Sequence, residues 1–450
     1  MIMSRYPSVL MCCAYVIVIV ALWAKIPHPA VAAALGLLPI AALLTIRYLF
    51  IWVLLFVLFS FFRLHEVFPV LMPFKLPMLL SLAALGSLAW HSLVSRSLTL
   101  YWSRPMSWLF AFWICVIVGL VMASNRGIAI SSFTSVYWKI MVMTLAIIWV
   151  VNHPTKLKLA CWGIVASGLL VSLVAIQNAL LGIGLVEGSR VTIGRSIGSM
   201  LGDPNDLALV LLFPLAFACG IASTSRLSNK LRFLTVIVCL SLSFAIIQTQ
   251  SRGGLLGMMT VYAVFLQQNI RSKTVLISLA VIGAVVLYFV AGIGERASGG
   301  AAEAGIDASA MGRLYAWEAA FKMALDNPLT GVGLNNFYFN YYFYSPHWDG
   351  LNHAVHSTWF GVMAETGFLG LFVFLGLIVS LAKTGVATLK RLKSADNPPT
   401  YLFVASKAVV AGLAGTVVSG TFLTQGFVWP IYILAAITIA VAQLSEQQPT

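Results

Sequence analysis

The chain has 450 residues, of which 60% are hydrophobic and 9% charged, whereas a soluble domain is nearer half apolar and a quarter charged. That composition excludes a cytosolic globular enzyme, a disordered regulator and a secreted disulfide scaffold. The net charge of +14 looks like that of a nucleic-acid binder. The basic residues stand singly between apolar runs, however, so no nucleic acid is implied and the solvent for most of the chain is lipid.

A bilayer-crossing helix needs about 20 mostly apolar residues. Runs of this kind are expected near 8–24, 28–45, 48–62, 76–94, 106–123, 136–151, 157–181, 205–223, 232–250, 254–268, 274–293, 358–382, 400–419 and 426–444. The fold class is therefore all-α, a polytopic transmembrane bundle of 12–14 spans with 14 the best count. The first run, followed by Ala30-Val31-Ala32, resembles a signal peptide but reads as a retained helix, because its apolar core is long and more spans follow. The chain divides into an N-terminal bundle over 1–293 with about 11 spans, a long hydrophilic loop over 294–357, and C-terminal helices with a short tail over 358–450. The six cysteines lie in apolar runs without a C-x-x-C pair and read as small buried hydrophobes.

Lys and Arg orient the spans. Alternate connections, beginning at the N-terminus with Arg5, carry Arg47, Arg96, Arg104, Lys156, Lys158, Arg226, Lys230, Arg232, Arg271, Lys273 and the group Lys383 to Lys393. The positive-inside rule then places both termini in the cytoplasm. The other side, the periplasm of a bacterium, holds Glu66, Glu187, Arg190, Arg195, Asp203, Asp206 and Arg252. Arginines on that side run against the rule and need a reason.

The long loop also faces that side. Residues 294–310 are rich in Gly, Ala and Ser and read as a linker. Residues 311–326 form an amphipathic helix pattern, with Leu314, Trp317, Phe321 and Leu325 on one face, suited to the membrane surface. Asp307 or Ser309 can cap its start and Asn327-Pro328 ends it. Eight of the twelve residues from Phe337 to Trp348 are aromatic, either an interfacial belt or platforms for sugar rings.

Four patterns carry candidate chemistry. The stretch from Gly194 and Arg195 to Gly202-Asp203-Pro204-Asn205 either caps the next helix or offers backbone N–H groups and a guanidinium to phosphate. Gln250-Ser251-Arg252-Gly253-Gly254 sits between two apolar spans, where an Arg either snorkels or clamps an anion that the glycines let approach. Gly312-Arg313 opens a run that ends in Asn327-Pro328-Leu329-Thr330-Gly331-Val332-Gly333, and Arg313 either pairs with Glu318 or faces a ligand. Finally, His356-Ser357, nine residues, then Gly367, with Glu365 and Gly370 alongside, opens an apolar span with a histidine placed to accept a proton.

In this order, over roughly 185–375, these patterns resemble the O-antigen ligase/polymerase family of bacterial inner-membrane glycosyltransferases, closest to the ligase branch. The ligase pattern often has Thr three residues after the Gly of its His motif, where this chain has Gly370. The resemblance implies transfer of a glycan from undecaprenyl diphosphate to a sugar hydroxyl of lipid A-core on the periplasmic face of the inner membrane. It implies His356 as general base and Arg195 and Arg252 as the diphosphate clamp, with Arg190 and Arg313 as further candidates and His353, Asp203, Asn205 and Glu365 in support. Direct displacement would invert the anomeric centre. No carboxylates stand at metal spacing, so neither a metal nor another cofactor is expected. The partners are then the lipid-linked donor, the lipid A-core acceptor and membrane lipids. A polymerase with a second lipid-linked glycan as acceptor and a protein O-glycosylation ligase use the same donor. A lipid-linked glycan transporter is the reading from another class, although the halves show no convincing repeat.

Overall fold

The structure, a computed structural model, describes residues 6–26, 29–267, 308–348 and 350–448, with isolated positions between 268 and 307. Among these residues the chain is helical, without strands. The expected span at 274–293 and the linker at 294–307 lie outside the described residues.

Helices α1 (Tyr6–Lys25), α2 (Pro29–Arg47) and α3 (Leu49–Phe61) begin the chain. The sequence expects α2 and α3 as separate spans, yet they meet at a bend of 93°. Tyr48 between them leaves the helical region, with φ −116° and ψ 45°. After the short α4 (Leu64–Val67) come α5 (Leu76–Ala89), α6 (Arg104–Met122), α7 (Arg126–Ser132) and α8 (Trp138–Val150). The helix expected over 136–151 starts a full ten residues earlier, because Asn125 caps it by accepting the Ile128 N–H at 3.2 Å. Next stand α9 (Pro154–Leu181), α10 (Pro204–Ala222), α11 (Asn229–Gln248) and α12 (Arg252–Gln267). The last five are α13 (Ala308–Asp326), α14 (Phe337–Tyr344), α15 (Thr358–Ser394), α16 (Thr400–Gly420) and α17 (Trp429–Glu446).

Nine helices among the described residues are long and apolar enough to cross a membrane, or ten if the bent pair forms one span. The count of fourteen from hydropathy is higher. It splits the bent pair, and it includes α1, α12, which has only 16 residues, and the stretch outside the described residues. At the centre are α10 and α17, buried along nearly their whole length. Around them, apolar side chains on α1, α2, α5 and α11 face outward, as lipid-facing positions do.

One long helix is interrupted where the site is built. In α15, Gly367 adopts φ 72° and ψ −177°, a conformation open to glycine and strained for other residues. The break frees the carbonyls of Ala364 and Glu365. They accept the N–H groups of Val332 at 2.8 Å and Gly333 at 3.2 Å. In return, Phe368 N–H donates to the Pro328 carbonyl at 2.8 Å. A side chain at Gly331 would collide with the Ala364 carbonyl. The N-P-L-x-G-x-G run and the glycine of the His motif are therefore two halves of one docking joint.

The amphipathic helix is also as expected in outline, with a division of labour that periodicity alone did not resolve. Its small residues Ala316, Ala319, Ala320 and Ala324 are buried against α15, while Leu314, Phe321 and Leu325 remain exposed. Trp317 lies between the two faces; its ring stacks on Phe360 at 4.9 Å and its indole N–H donates to the Val355 carbonyl at 3.0 Å. The helix begins at Ala308, so Ser309 is its second residue and not its cap; Asp307 lies outside the described residues.

Candidate active site

A cavity of about 390 Å³ lies where α3, α10, α14, α15 and the α16–α17 turn meet. His356, Asp203, Asn205 and Glu365, all singled out from sequence, line it together. His356 is the residue before Ser357, which precedes α15, and it holds φ at 44°, in the left-handed region that a bulky residue rarely occupies. The Trp317 bond to Val355 fixes the chain just before it. Just after it, Thr358 Oγ1 donates to the Leu423 carbonyl at 2.7 Å and accepts the Gln425 N–H at 2.9 Å. That pair ties the His motif to the turn bearing Leu423, Thr424 and Trp429, which forms the opposite wall.

The imidazole makes no hydrogen bond to a described residue. Its pKa is lowered, first by burial and then by the Arg313 guanidinium; Asp203 opposes, while His353 and Arg190 add smaller downward pushes. The charges of Arg313, Arg190 and Asp203 thus bear on this ring, and of the three only Asp203 lines the same cavity. His353 also packs edge-on against Tyr341, with ring centroids 5.3 Å apart.

The D-P-N turn does cap α10. Asp203 Oδ1 accepts the N–H of Asn205 at 2.7 Å and of Asp206 at 3.3 Å. Asn205 is the junction between two motifs distant in sequence. Its Oδ1 accepts from Arg190 Nη2 at 3.1 Å and from Ser251 Oγ at 2.9 Å. Arg190 is buried and engaged on its other nitrogens too, with Nε donating to the Thr249 carbonyl at 3.1 Å and Nη1 lying 3.6 Å from Glu187. Such a side chain braces the 186–190 turn against the 249–251 turn. Arg195 is exposed and donates once, to the Gly202 carbonyl at 3.1 Å. Arg252, half-buried, opens α12 beside Ser251. None of the four arginines lines the cavity itself; Arg190 reaches its wall through Asn205.

The glycines of Ser-Arg-Gly-Gly serve packing. A Cβ at Gly254 would lie 2.5 Å from Ala208 of α10, and one at Gly253 would lie 3.0 Å from Leu423. The close approach of a neighbour that the glycines allow is made here by α10 and by Leu423. Glu365 likewise has a scaffolding task. Its carboxylate accepts the N–H of Asn335 at 2.8 Å and of Phe337 at 3.3 Å, which fixes the start of α14. The hydroxyl expected at position 370 lies one turn earlier: Thr366, bonded to the Val362 carbonyl at 2.6 Å, fills the space over Gly370.

Three lining residues escaped the sequence reading. Asp206 lies one turn beyond Asp203 on α10, a spacing that could have signalled it. Asn335 adopts φ 58° and turns the chain into α14, and an Asn-Asn pair ahead of an aromatic run was its only mark. Tyr338 was one of many aromatic residues, and nothing in the sequence separated it from its neighbours.

Residues 236–375 match the O-antigen ligase family. The chain is thus an α-helical, multi-pass membrane protein whose segment from α11 through the break in α15 is similar to the O-antigen ligase family. No curated protein matches the chain. The matched stretch contains Arg252, Arg313, His356 and Gly367; Arg190, Arg195 and the D-P-N turn precede it and join it through Asn205.

Proposed function

We propose that this protein transfers a glycan from undecaprenyl diphosphate to a sugar hydroxyl of lipid A-core at the periplasmic face of the bacterial inner membrane. The observation that carries the reading is the position of His356, open to a cavity that Asp203 also lines and under the charges of Arg313 and Arg190, within a stretch matching the O-antigen ligase family. The sidedness is supported by the opposite end of the bundle, where Arg226, Arg232, Arg391 and Lys407 gather. Basic residues favour the cytoplasmic side, which supports a periplasmic site and cytoplasmic termini.

The donor supplies its own driving force, since the sugar–diphosphate bond is already activated. The acceptor oxygen attacks the anomeric carbon, its proton passes to neutral His356, and the anomeric C–O bond to diphosphate breaks with its electrons leaving on the diphosphate. The configuration inverts. A lowered pKa keeps the imidazole neutral and ready to accept that proton. Arg313, Arg252 and Arg195 balance the charge that develops on the leaving group, while Arg190 acts mainly as the brace of the loops that carry them. Asp203 on the cavity wall repels diphosphate and so directs it to the arginine side, leaving the acceptor sugar to the other.

The test is incubation of the purified protein with lipid-linked donor and three acceptors: lipid A-core, a second lipid-linked glycan and a glycoprotein acceptor. Elongated lipid A-core is the expected product. Polymerised donor would make the protein a polymerase, and glycan movement across liposomes without any new bond would make it a transporter.

A further inference from the structure

A second cleft, of about 690 Å³, opens on the same end of the molecule as His356, between the last turns of α13 and the outer half of α14. Lys322, Asp326, Asn340, Phe343, Tyr344 and Ser345 line it. We propose that this cleft is a glycan subsite, holding a pyranose ring some units away from the reacting carbon. The proposal rests on the glycosyltransferase reading for its ligand.

The chemistry of the wall is mixed in a particular way. A pyranose presents an apolar C–H face and a rim of hydroxyls, and it is held by an aromatic ring against the face with acceptors and donors at the rim. The Phe343 ring is 75% exposed and supplies the face. Asp326 and the Asn340 carbonyl oxygen supply acceptors; Lys322 and Ser345 supply donors. A pure lipid contact would not require that polar rim. The size also suits a ligand of one or two rings.

The cleft is braced. Asn340 Nδ2 donates to Ser124 Oγ at 2.7 Å and to the Asn336 carbonyl at 2.8 Å, which leaves its side-chain oxygen for a ligand. Asn336 in turn accepts the Asn125 N–H at 3.1 Å, so α14 is anchored to the junction of α6 and α7. On the far side, His347 stacks on Tyr315 with centroids 3.8 Å apart and strings the 345–348 segment across α13. Lys322 is held in place by Glu318 at 2.8 Å.

The placement links the two cavities. Tyr338, near the start of α14, lines the cavity of His356, and Phe343, near its end, lines the cleft. Five residues of helix separate them, about 7.5 Å of rise. At about 100° per residue the two side chains also project about 140° apart, so a glycan reaching both bends around α14, whether it belongs to the donor or to the acceptor core.

The experiment compares wild type with Phe343→Ala and Asp326→Asn in lipid nanodiscs. Both residues are exposed, so the fold does not depend on them. Saturation-transfer NMR measures binding of core oligosaccharide released from lipopolysaccharide and, separately, of released O-antigen repeat, with maltohexaose as control. Transfer is then measured with donor and acceptor glycans that are full-length or truncated to one sugar. The expected result is binding at least tenfold weaker in both variants, and KM raised about tenfold for the full-length partner alone with kcat kept. Whichever partner shows the effect identifies the source of the ring. Unchanged binding and unchanged KM in both variants would overturn the subsite while His356-dependent transfer could still stand. Binding that the variants abolish in a protein without transfer activity would keep the subsite and overturn the glycosyltransferase reading.

Discussion

The two ends of the bundle use the same cations differently. At the end opposite the site, Arg226 donates to the Pro398 carbonyl at 2.7 Å, Arg232 to the Ala222 carbonyl at 3.1 Å and Lys407 to the Ser223 carbonyl at 3.2 Å. Arg232 and Lys407 meet the C-terminal end of α10, where a positive charge faces the negative end of the helix dipole, and Arg226 ties down the loop between α15 and α16. At the His356 end, Arg190 and Arg313 act on an imidazole that faces a cavity. The backbone differs as well. Arg63, Lys75, Glu187, Gln250, Asn335 and His356 all hold positive φ at the site end, against Arg96 at the other. Non-glycine residues in that region cost about 1–3 kcal/mol each and persist where the surroundings over-determine them. The basic end is thus satisfied locally, and the site end carries strain held by long-range contacts such as the joint at Gly367.

The sharpest way to break that contrast is at His356. His356→Ala should lower transfer by about 10²–10⁴-fold, the usual contribution of a general base, with an unchanged melting temperature. Gly367→Ala should be the largest blow to stability. Its Cβ would meet the Pro328 carbonyl oxygen at 2.5 Å in a backbone conformation that disfavours alanine. A loss of about 3 kcal/mol or more is expected, seen as a fall in melting temperature and yield.

Smaller effects sharpen the comparison. Arg313→Gln removes a positive charge that pushes the His356 pKa down. The acid limb of the kcat/KM profile, expected below pH 6.5 in the wild type, should therefore move upward. Arg252→Lys keeps the charge and loses the guanidinium fork, so it should cut transfer tenfold or more if two oxygens are held at once; a near-normal rate would mean simple snorkelling. At the opposite end, Arg391→Ala breaks an exposed pair with Glu446 at 3.7 Å. It should shift stability by less than about 0.5 kcal/mol and leave transfer unchanged.

Much of the fold was legible because lipid imposes one rule, a continuous apolar run per helix. The boundaries of α6, α9, α10, α11, α16 and α17 fall within a few residues of those read from hydropathy. The bend at Tyr48 was not legible, since apolar periodicity records which residues are buried and not the angle between helices. The site was legible as far as it depends on side chains rare in a membrane: His356, Asp203, Asn205 and Glu365 line one cavity, and Arg190 joins it through Asn205. What the sequence obscured was the task of each polar group. The glycines after Arg252 admit Ala208 and Leu423, Glu365 holds Asn335 and Phe337, and Asn205 joins Arg190 to Ser251. Those tasks arise from contacts made across long stretches of chain, to which local spacing is blind.

The most direct test of the account is the pH dependence of glycan transfer by purified wild type and Arg313→Gln protein, with defined lipid-linked donor and lipid A-core. The account predicts an acid limb below pH 6.5 that moves up when the guanidinium is removed, and that disappears with activity in His356→Ala. An acid limb unmoved by Arg313→Gln, together with near-normal transfer by His356→Ala, would contradict it.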